Sequence, residues 1–369
     1  MTSATTNTPT RDIRRATAAR RVPVWVWRAL MRRLSRGDFR HERTKPISGI
    51  DYTFDVDYLG DGIRAHRLDV LVPQAATEPL PVYIYFHGGG WTSGDKAPLT
   101  EYAASQAADG MIVINANYRK ATRFHAAHML EDGNAVLEWV VQNVPALGGD
   151  PSRIIIGGDS AGGHIAALLT ASTYHPELAA HHGITPAVPR ESLRGLVQHC
   201  SIADFSVMFE RNFVLSHNFL RMLLPERGRG LVLRTAAKFI SPIEWLDRGF
   251  PPVFVTTSER DFFYRANLNF IDALKSKAIA VDSVIYQWAQ RNTRHTWQQN
   301  ARHPESQEVY RRLAAFVRTV APFPVASVTP ITAPLRSVAS VTSITAPLRA
   351  VASVIPLRPA APFALPLAA

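Results

Sequence analysis

The sequence has a single cysteine, Cys200, among its 369 residues. A single cysteine excludes an intramolecular disulfide, so nothing in the composition calls for an oxidising compartment. No apolar run reaches the roughly 18 residues that a membrane-spanning helix requires. The apolar stretch 22–31 follows two arginines, but Arg28 interrupts it and no small-residue cleavage site follows, so no secretory signal is predicted. We therefore expect a cytoplasmic protein.

Lysine is also scarce, and arginine supplies most of the positive charge behind the formal net charge of +11. The excess arginine lies before residue 45. A basic stretch at one end of a chain is more typical of a solvated arm than of a groove that binds phosphates. Because the sequence has no recognition module and no platform of aromatic and basic residues, nucleic acid is not an expected partner.

Both ends of the chain differ in composition from its middle. Residues 1–20 are polar and basic, which predicts a disordered arm. Within 21–48, apolar residues recur at helical spacing with arginines between them, which predicts a basic amphipathic helix. This helix either packs on the folded domain or makes a peripheral contact with an anionic membrane surface. Residues 322–369 repeat Val-Ala-Ser-Val at positions 325, 338 and 351 between prolines, which predicts a low-complexity tail.

Residues 49–321 alternate short apolar runs with helical segments, which is typical of parallel strands joined by crossover helices. We predict strands at 52–58, 66–72, 82–86, 111–116, 153–156, 196–198, 253–256 and 284–286. The clearest predicted helices are 99–108, 127–143, 164–172, 265–277 and 305–320. An aromatic-rich insertion at 201–243 is longer than a crossover needs, which predicts a lid over the site. The expected fold is α/β, with a mostly parallel eight-stranded sheet.

A glycine-rich turn follows the apolar run 153–156, and Gly158, Ser160 and Gly162 form the pattern Gly-x-Ser-x-Gly. A nucleophile elbow needs small neighbours, because its serine sits on a strained turn between a strand and a helix. A glycine-rich turn that happens to contain serine is the alternative. The strand, turn and helix in this order favour Ser160 as a nucleophile.

A second glycine-rich segment, His87-Gly-Gly-Gly-Trp91, follows the predicted strand 82–86 directly. Bare glycines at a strand end let backbone amides point at the oxygen that becomes negative during acyl transfer. We therefore predict an oxyanion hole made by the amides of Gly88 and Gly89 together with Ala161, the residue after the proposed nucleophile.

The acid and the base are expected later in the chain, each beyond a strand and in that order. Asp261 follows the strand 253–256, and His295 follows the strand 284–286. Glu259 and His303 compete with them. We predict Asp261 because it lies at the far end of its turn, and His295 because His303 precedes Pro304 at a helix entrance, which explains it without catalysis.

These motifs together resemble the hormone-sensitive-lipase-like carboxylesterase branch of the α/β-hydrolase superfamily, over residues 50–320. The resemblance implies an α/β-hydrolase fold with a helical cap, formed by the N-terminal helix and the insertion. It implies a serine esterase that acts on small-molecule esters without a cofactor. The segment after Arg119 and the residue Arg294 before the histidine depart from the family pattern. Formamidase or amidase activity therefore remains an alternative, as does a catalytically silent ligand-binding protein.

Other candidate residues carry weaker signals. Trp91, Phe205 and Phe209 either line the substrate pocket or form the core of the lid. His125 and His128 share a helix face, but no third ligand at suitable spacing follows, so no metal site is predicted. The glycine-rich segments lack the spacing and the lysine of a nucleotide-binding loop. Because the insertion should close the pocket, we expect short to medium acyl chains.

Overall fold

A computed structural model describes residues 46–74, 76–210, 216–224 and 233–322, together with Val26 and Ala29. Val26 and Ala29 are helical. The rest of the predicted N-terminal arm and helix lies outside the described residues, as do parts of the insertion and almost all of the repeat tail. The proposed boundaries between these segments therefore remain predictions.

The described chain forms one eight-stranded sheet, as the apolar pattern predicted. The strands are β1 Ile50–Asp57, β2 Arg67–Pro73, β3 Leu80–Phe86, β4 Ile112–Ala116, β5 Gly149–Asp159, β6 Leu193–His199, β7 Val253–Ser258 and β8 Val281–Tyr286. Their order is β1-β2-β4-β3-β5-β6-β7-β8. The pairs β1-β2 and β2-β4 are antiparallel, and the remaining pairs are parallel. The carboxyl ends of β3, β5, β6 and β7 therefore meet at one edge.

Helices cover both faces of the sheet. They are α1 Thr100–Ala108, α2 Ala126–Asn143, α3 Ala161–Tyr174, α4 Pro176–His182, α5 Ser216–Leu223, α6 Leu233–Ala237, α7 Tyr264–Ser276 and α8 Pro304–Val320. Val82, Ile84 and Phe86 of β3 pack with α2 and α3 on one face, whereas Tyr83 and Tyr85 pack with α1 and α8 on the other. All of β3 is buried, as expected for a parallel strand with helices on both faces. In the described parts of the chain, no helix combines the length and hydropathy needed to span a bilayer.

Fewer residues separate strand β5 from helix α3 than the sequence pattern predicts. The strand continues past residue 156 through Gly157 and Gly158 to Asp159, and α3 already begins at Ala161. Glycine is a weak former of either element, but the contacts here leave no room for a side chain. A Cβ atom on Gly157 would lie 2.6 Å from the Cβ of Val197, and one on Gly158 would lie 2.4 Å from the carbonyl oxygen of Phe86.

The segment between β6 and β7 contains a 3-10 turn at Phe205–Phe209 and the helices α5 and α6. Two histidines hold its end on the main domain. His164 Nε2 lies 2.8 Å from the carbonyl oxygen of Ile240, and His182 Nε2 lies 2.7 Å from that of Phe239. Phe205 is fully buried, so this aromatic side chain belongs to the core between the insertion and α3.

Candidate active site

Ser160 occupies the one-residue turn between β5 and α3. Its backbone has φ 50° and ψ −117°, a conformation that costs an L-residue free energy and persists only where the surroundings enforce it. The Ser160 amide donates to the carbonyl oxygen of His199 over 2.9 Å. A Cβ atom on Gly162 would lie 2.0 Å from the carbonyl oxygen of Phe86, so the first turn of α3 packs directly on the end of β3. This turn carries the serine hydroxyl beyond the sheet edge.

The structure brings Ser160, His295 and Asp261 into one hydrogen-bonded chain. His295 Nε2 lies 3.0 Å from Ser160 Oγ, and His295 Nδ1 lies 2.7 Å from Asp261 Oδ1. Asp261 also accepts from the Phe263 amide over 3.1 Å and from Thr257 Oγ1 over 3.3 Å. The Asp261 carboxylate is fully buried, whereas the imidazole is 23% exposed. The histidine can therefore reach both the serine and a substrate, while the carboxylate is fixed.

The competing acid and base have other partners. Glu259 Oε2 accepts from the amide of Trp288 over 2.7 Å, on the surface beside β8. His303 precedes α8, and its Nε2 lies 3.1 Å from Asn300 Nδ2. Neither side chain has a hydrogen bond to Ser160 or to His295.

The loop 87–90 after β3 lies beside the elbow, but Gly88 does not fit its predicted role. The Gly88 amide donates to Asp159 Oδ1 over 3.1 Å, and Tyr85 Oη donates to the same oxygen over 2.9 Å. A donor engaged by a carboxylate does not point at a substrate oxygen. Among the described residues, no acceptor binds the amides of Gly89, Gly90 or Ala161. These three amides, rather than that of Gly88, are the candidates for an oxyanion hole.

Two aromatic rings hold this loop in place. His87 stacks on Tyr118, with ring centroids 4.6 Å apart, and the Tyr118 hydroxyl donates to the His87 carbonyl oxygen over 2.8 Å. Burial, together with the charge of Lys120, lowers the pKa of His87 to about 3, so the ring is neutral at physiological pH. Its Nδ1–H donates to the Gly88 carbonyl oxygen over 2.6 Å. Tyr118 was not among the predicted site residues, although its position after β4, the parallel neighbour of β3, places it at this edge.

The predicted substrate-binding aromatics pack under the insertion. Trp91 is 1% exposed and its Nε1 donates to His164 Nδ1 over 3.0 Å. Phe205 contacts both the Trp91 and the His164 rings. Phe209 is half-buried, with the guanidinium of Arg234 at 4.8 Å from its ring centroid. These contacts place Trp91 and Phe205 in the core where the insertion meets the main domain, and a role in substrate binding remains a prediction for all three residues.

Potential metal ligands also meet at this site. Within the residues that the structure describes, the ligand atoms of Cys200, Asp261 and His295 lie within 4.8 Å of one another. The carboxylate oxygen and the imidazole nitrogen are only 2.7 Å apart, whereas two such ligands of a tetrahedral ion would be about 3.3 Å apart. The separation fits a hydrogen bond. His125 and His128, for which no metal site was predicted, are in ring contact, with centroids 4.1 Å apart.

This fold and the constellation at the carboxyl ends of its parallel strands define an α/β-hydrolase. The family model of BD-FAE matches residues 68–267, which is more than half of the chain. The chain therefore belongs to the BD-FAE family, and the resemblance drawn from the motifs is confirmed.

Relatives and solved structures agree with this assignment. Carboxylesterase NlhH of Mycobacterium tuberculosis H37Rv is 30% identical over 230 residues, which cover 60% of this chain and 69% of that protein. Esterase LipQ of the same strain is 30% identical over 217 residues, which cover 57% of this chain and 49% of that protein. The crystal structure of esterase B from Lactobacillus rhamnosis superposes with a TM-score of 0.70 at 20% identity, over 80% of this chain and 93% of that chain. The last comparison supports the fold alone.

Proposed function

We propose that this protein hydrolyses carboxylic esters of short to medium acyl chains through an acyl-enzyme intermediate on Ser160. One observation carries the proposal: Ser160 Oγ lies 3.0 Å from His295 Nε2, and His295 Nδ1 lies 2.7 Å from the buried Asp261 carboxylate. Serine, histidine and a buried acid in this order are the arrangement that activates a hydroxyl as a nucleophile.

The first half of the reaction acylates the serine. His295 Nε2 accepts the Ser160 hydroxyl proton as Oγ attacks the ester carbonyl carbon, and the carbonyl oxygen becomes an oxyanion. The amides of Gly89, Gly90 and Ala161, for which the described part of the chain offers no acceptor, would stabilise that charge. One such donor contributes about 10² to 10³ in rate. His295 then donates its proton to the alcohol oxygen, which leaves. Asp261 keeps Nδ1 protonated and stabilises the imidazolium.

The second half repeats these steps with water. His295 accepts a proton from a water molecule, whose oxygen attacks the acyl carbon, and then returns a proton to Ser160 Oγ as the acid leaves. No group outside the triad and the amides is required, so the chemistry needs no cofactor.

The acyl preference follows from how the insertion is held. The bonds from His164 and His182 to consecutive carbonyls tie its end to α3 and α4, and Phe205 fills the space beneath it. We expect a substrate pocket beneath a segment held in this way to have a limited depth. We expect kcat/KM for p-nitrophenyl esters to peak at short or medium acyl chains. A rate that rises steadily into insoluble long-chain esters would contradict this limit.

The decisive experiment compares Ser160→Ala with the wild type on p-nitrophenyl butyrate, together with labelling by a fluorophosphonate probe. We expect the variant to lose at least about a thousandfold in kcat and all labelling, with unchanged circular dichroism. Ser105→Ala is the matched control, because its hydroxyl bonds only within α1, to the Glu101 carbonyl oxygen. Retention of more than about a thousandth of the rate in Ser160→Ala would refute the proposal. A p-nitroanilide of the same acid tests the amidase alternative.

A peripheral membrane contact of the N-terminal helix remains a prediction, because that helix lies mostly outside the described residues. The cytoplasmic location also remains a prediction.

A further inference from the structure

An exposed phenylalanine lies directly on the proposed catalytic histidine. The ring centroid of Phe262 is 3.9 Å from that of His295, with 34° between the planes. Phe262 is nevertheless 61% exposed. Among the exposed large apolar side chains of the described residues, only Trp288 is as exposed as Phe262.

Packing of the loop does not account for this exposure. The next residue, Phe263, is 6% exposed and contacts both the Phe262 ring and the His295 ring from the inside. The imidazole is already oriented by Asp261. A single exposed apolar side chain is common on protein surfaces, so what distinguishes Phe262 is its ring contact with His295, the group that must meet the leaving alcohol.

The proton transfer by His295 indicates which part of a substrate would contact Phe262. To protonate the leaving alcohol, His295 Nε2 must come within about 2.6–3.2 Å of the alcohol oxygen. The first atoms of the alcohol therefore lie against the imidazole, beside the ring that covers it. An aromatic group on that alcohol would come within the 4.5–7 Å centroid separation at which rings attract each other. The acyl group, bonded to Ser160, extends from the other side of the carbonyl carbon.

We propose that Phe262 forms a leaving-group subsite that selects esters of aromatic alcohols. This inference rests on the proposed function, because it needs His295 to be the group that protonates the alcohol. Ring stacking discriminates an aromatic from a saturated ring by a small factor, so Phe262 sets preference and is not required for turnover. The expected selectivity is about three- to tenfold in kcat/KM.

The test uses two acetates whose alcohols are similar in size and intrinsic reactivity but differ in ring character, benzyl acetate and cyclohexylmethyl acetate. We expect Phe262→Ala to lower the ratio of their kcat/KM values about three- to tenfold. Phe262→Leu keeps apolar bulk without a ring and should lose most of the same selectivity. The ratio of benzyl butyrate to benzyl acetate should stay unchanged in both variants.

Trp288→Ala is the matched control. Trp288 is equally exposed, but its ring contacts the guanidinium of Arg260, 4.4 Å from the centroid. The control should leave the alcohol ratio as in the wild type.

Two results would overturn the inference. In the first, Phe262→Ala would lower kcat/KM equally for both acetates and shift the acidic limb of its pH profile, which would mean that Phe262 merely positions His295. A changed butyrate to acetate ratio would place Phe262 on the acyl side. Both results differ from a failure of the proposed function, in which Ser160→Ala would still hydrolyse both acetates.

Discussion

The amide nitrogen of Gly88 lies 3.1 Å from Oδ1 of Asp159, so the residue before the proposed nucleophile holds the loop on the neighbouring strand. A Cβ atom on Gly88 would lie 2.3 Å from the other oxygen of the same carboxylate. Asp159 is buried, and a buried carboxylate needs donors to offset its lost hydration. The donors that satisfy it are thereby fixed relative to Ser160.

Removing the second donor to this carboxylate should weaken the fold and the site together. We expect Tyr85→Phe to lower the free energy of unfolding by about 1.5–3 kcal/mol, because the lost hydrogen bond is to a charged group. It should also lower kcat. Tyr83→Phe is the control: its hydroxyl bonds to the neutral Tyr102 hydroxyl, so its cost should be about 1 kcal/mol. Urea unfolding and esterase assays measure these effects. An equal loss of unfolding free energy in the two variants would contradict a structural role for the hydrogen bond from Tyr85 to Asp159.

The assignment of acid and base is tested by paired substitutions. We expect Asp261→Asn to lower kcat about 10⁴-fold, because an amide would favour the wrong tautomer of His295. His295→Ala should cost at least about a thousandfold. Glu259→Gln and His303→Ala should stay within about threefold of the wild type, since surface changes away from the site have small effects. If Glu259→Gln abolished activity while Asp261→Asn retained it, or His303→Ala abolished it while His295→Ala retained it, the proposed triad would be wrong.

His66 should make stability depend on pH. Its Nδ1 lies 2.6 Å from Asp61 and its Nε2 lies 3.3 Å from Asp132. Burial opposes the charged ring, but these carboxylates outweigh it and raise the pKa of His66 above 6.5. Its stabilising effect is therefore full below pH 6.5 and is lost as pH rises through the raised pKa. We expect His66→Gln to cost more free energy of unfolding at pH 6 than at pH 9.

A second histidine provides the control of opposite sign. Burial lowers the pKa of His181, which stacks on Phe239. His181→Gln should therefore cost less at pH 6 than at pH 9, since protonation of His181 favours the unfolded state. The same pH trend in both variants, measured by urea unfolding, would count against the account of His66.

Truncation after Pro322 should leave activity and stability nearly unchanged. The cut keeps the Pro322 carbonyl oxygen, which accepts from Arg153 Nη1 over 2.7 Å. The repeat beyond it is interrupted by prolines and offers little contiguous apolar surface. We expect the melting temperature to move by less than about 2 °C. A large drop, or a loss of esterase activity, would mean that the tail packs on the domain.

The sheet was predictable because its strands are continuous apolar runs bounded by turns. The limits of β5 were not, since Gly157 and Gly158 have no side chain to signal a strand, and only their contacts with Val197 and Phe86 explain them. The same applies to the start of α3, where Gly162 is needed for its approach to β3.

The triad residues were predictable from their positions after successive strands, because parallel strands bring their carboxyl ends together. The acceptor of the Gly88 amide was not predictable. Its acceptor, Asp159, is 71 residues away in sequence, and the pattern gives no sign of which amides in a glycine run are already engaged. Phe262 was missed because a ring beside an acid is common and its contact with His295 exists only in the fold.

The close contact between the first turn of α3 and the end of β3 also bears on how activity returns after denaturation. The two half-sites, the glycine loop and the elbow, come from strands that pair in parallel although β4 lies between them in sequence. Pairings of such large sequence separation form slowly, because the intervening loop must close first. Regained hydrolysis during refolding therefore requires the β3-β5 pairing as well as the docking of β7 and β8, which carry Asp261 and His295, whereas helical circular dichroism reports earlier, local events.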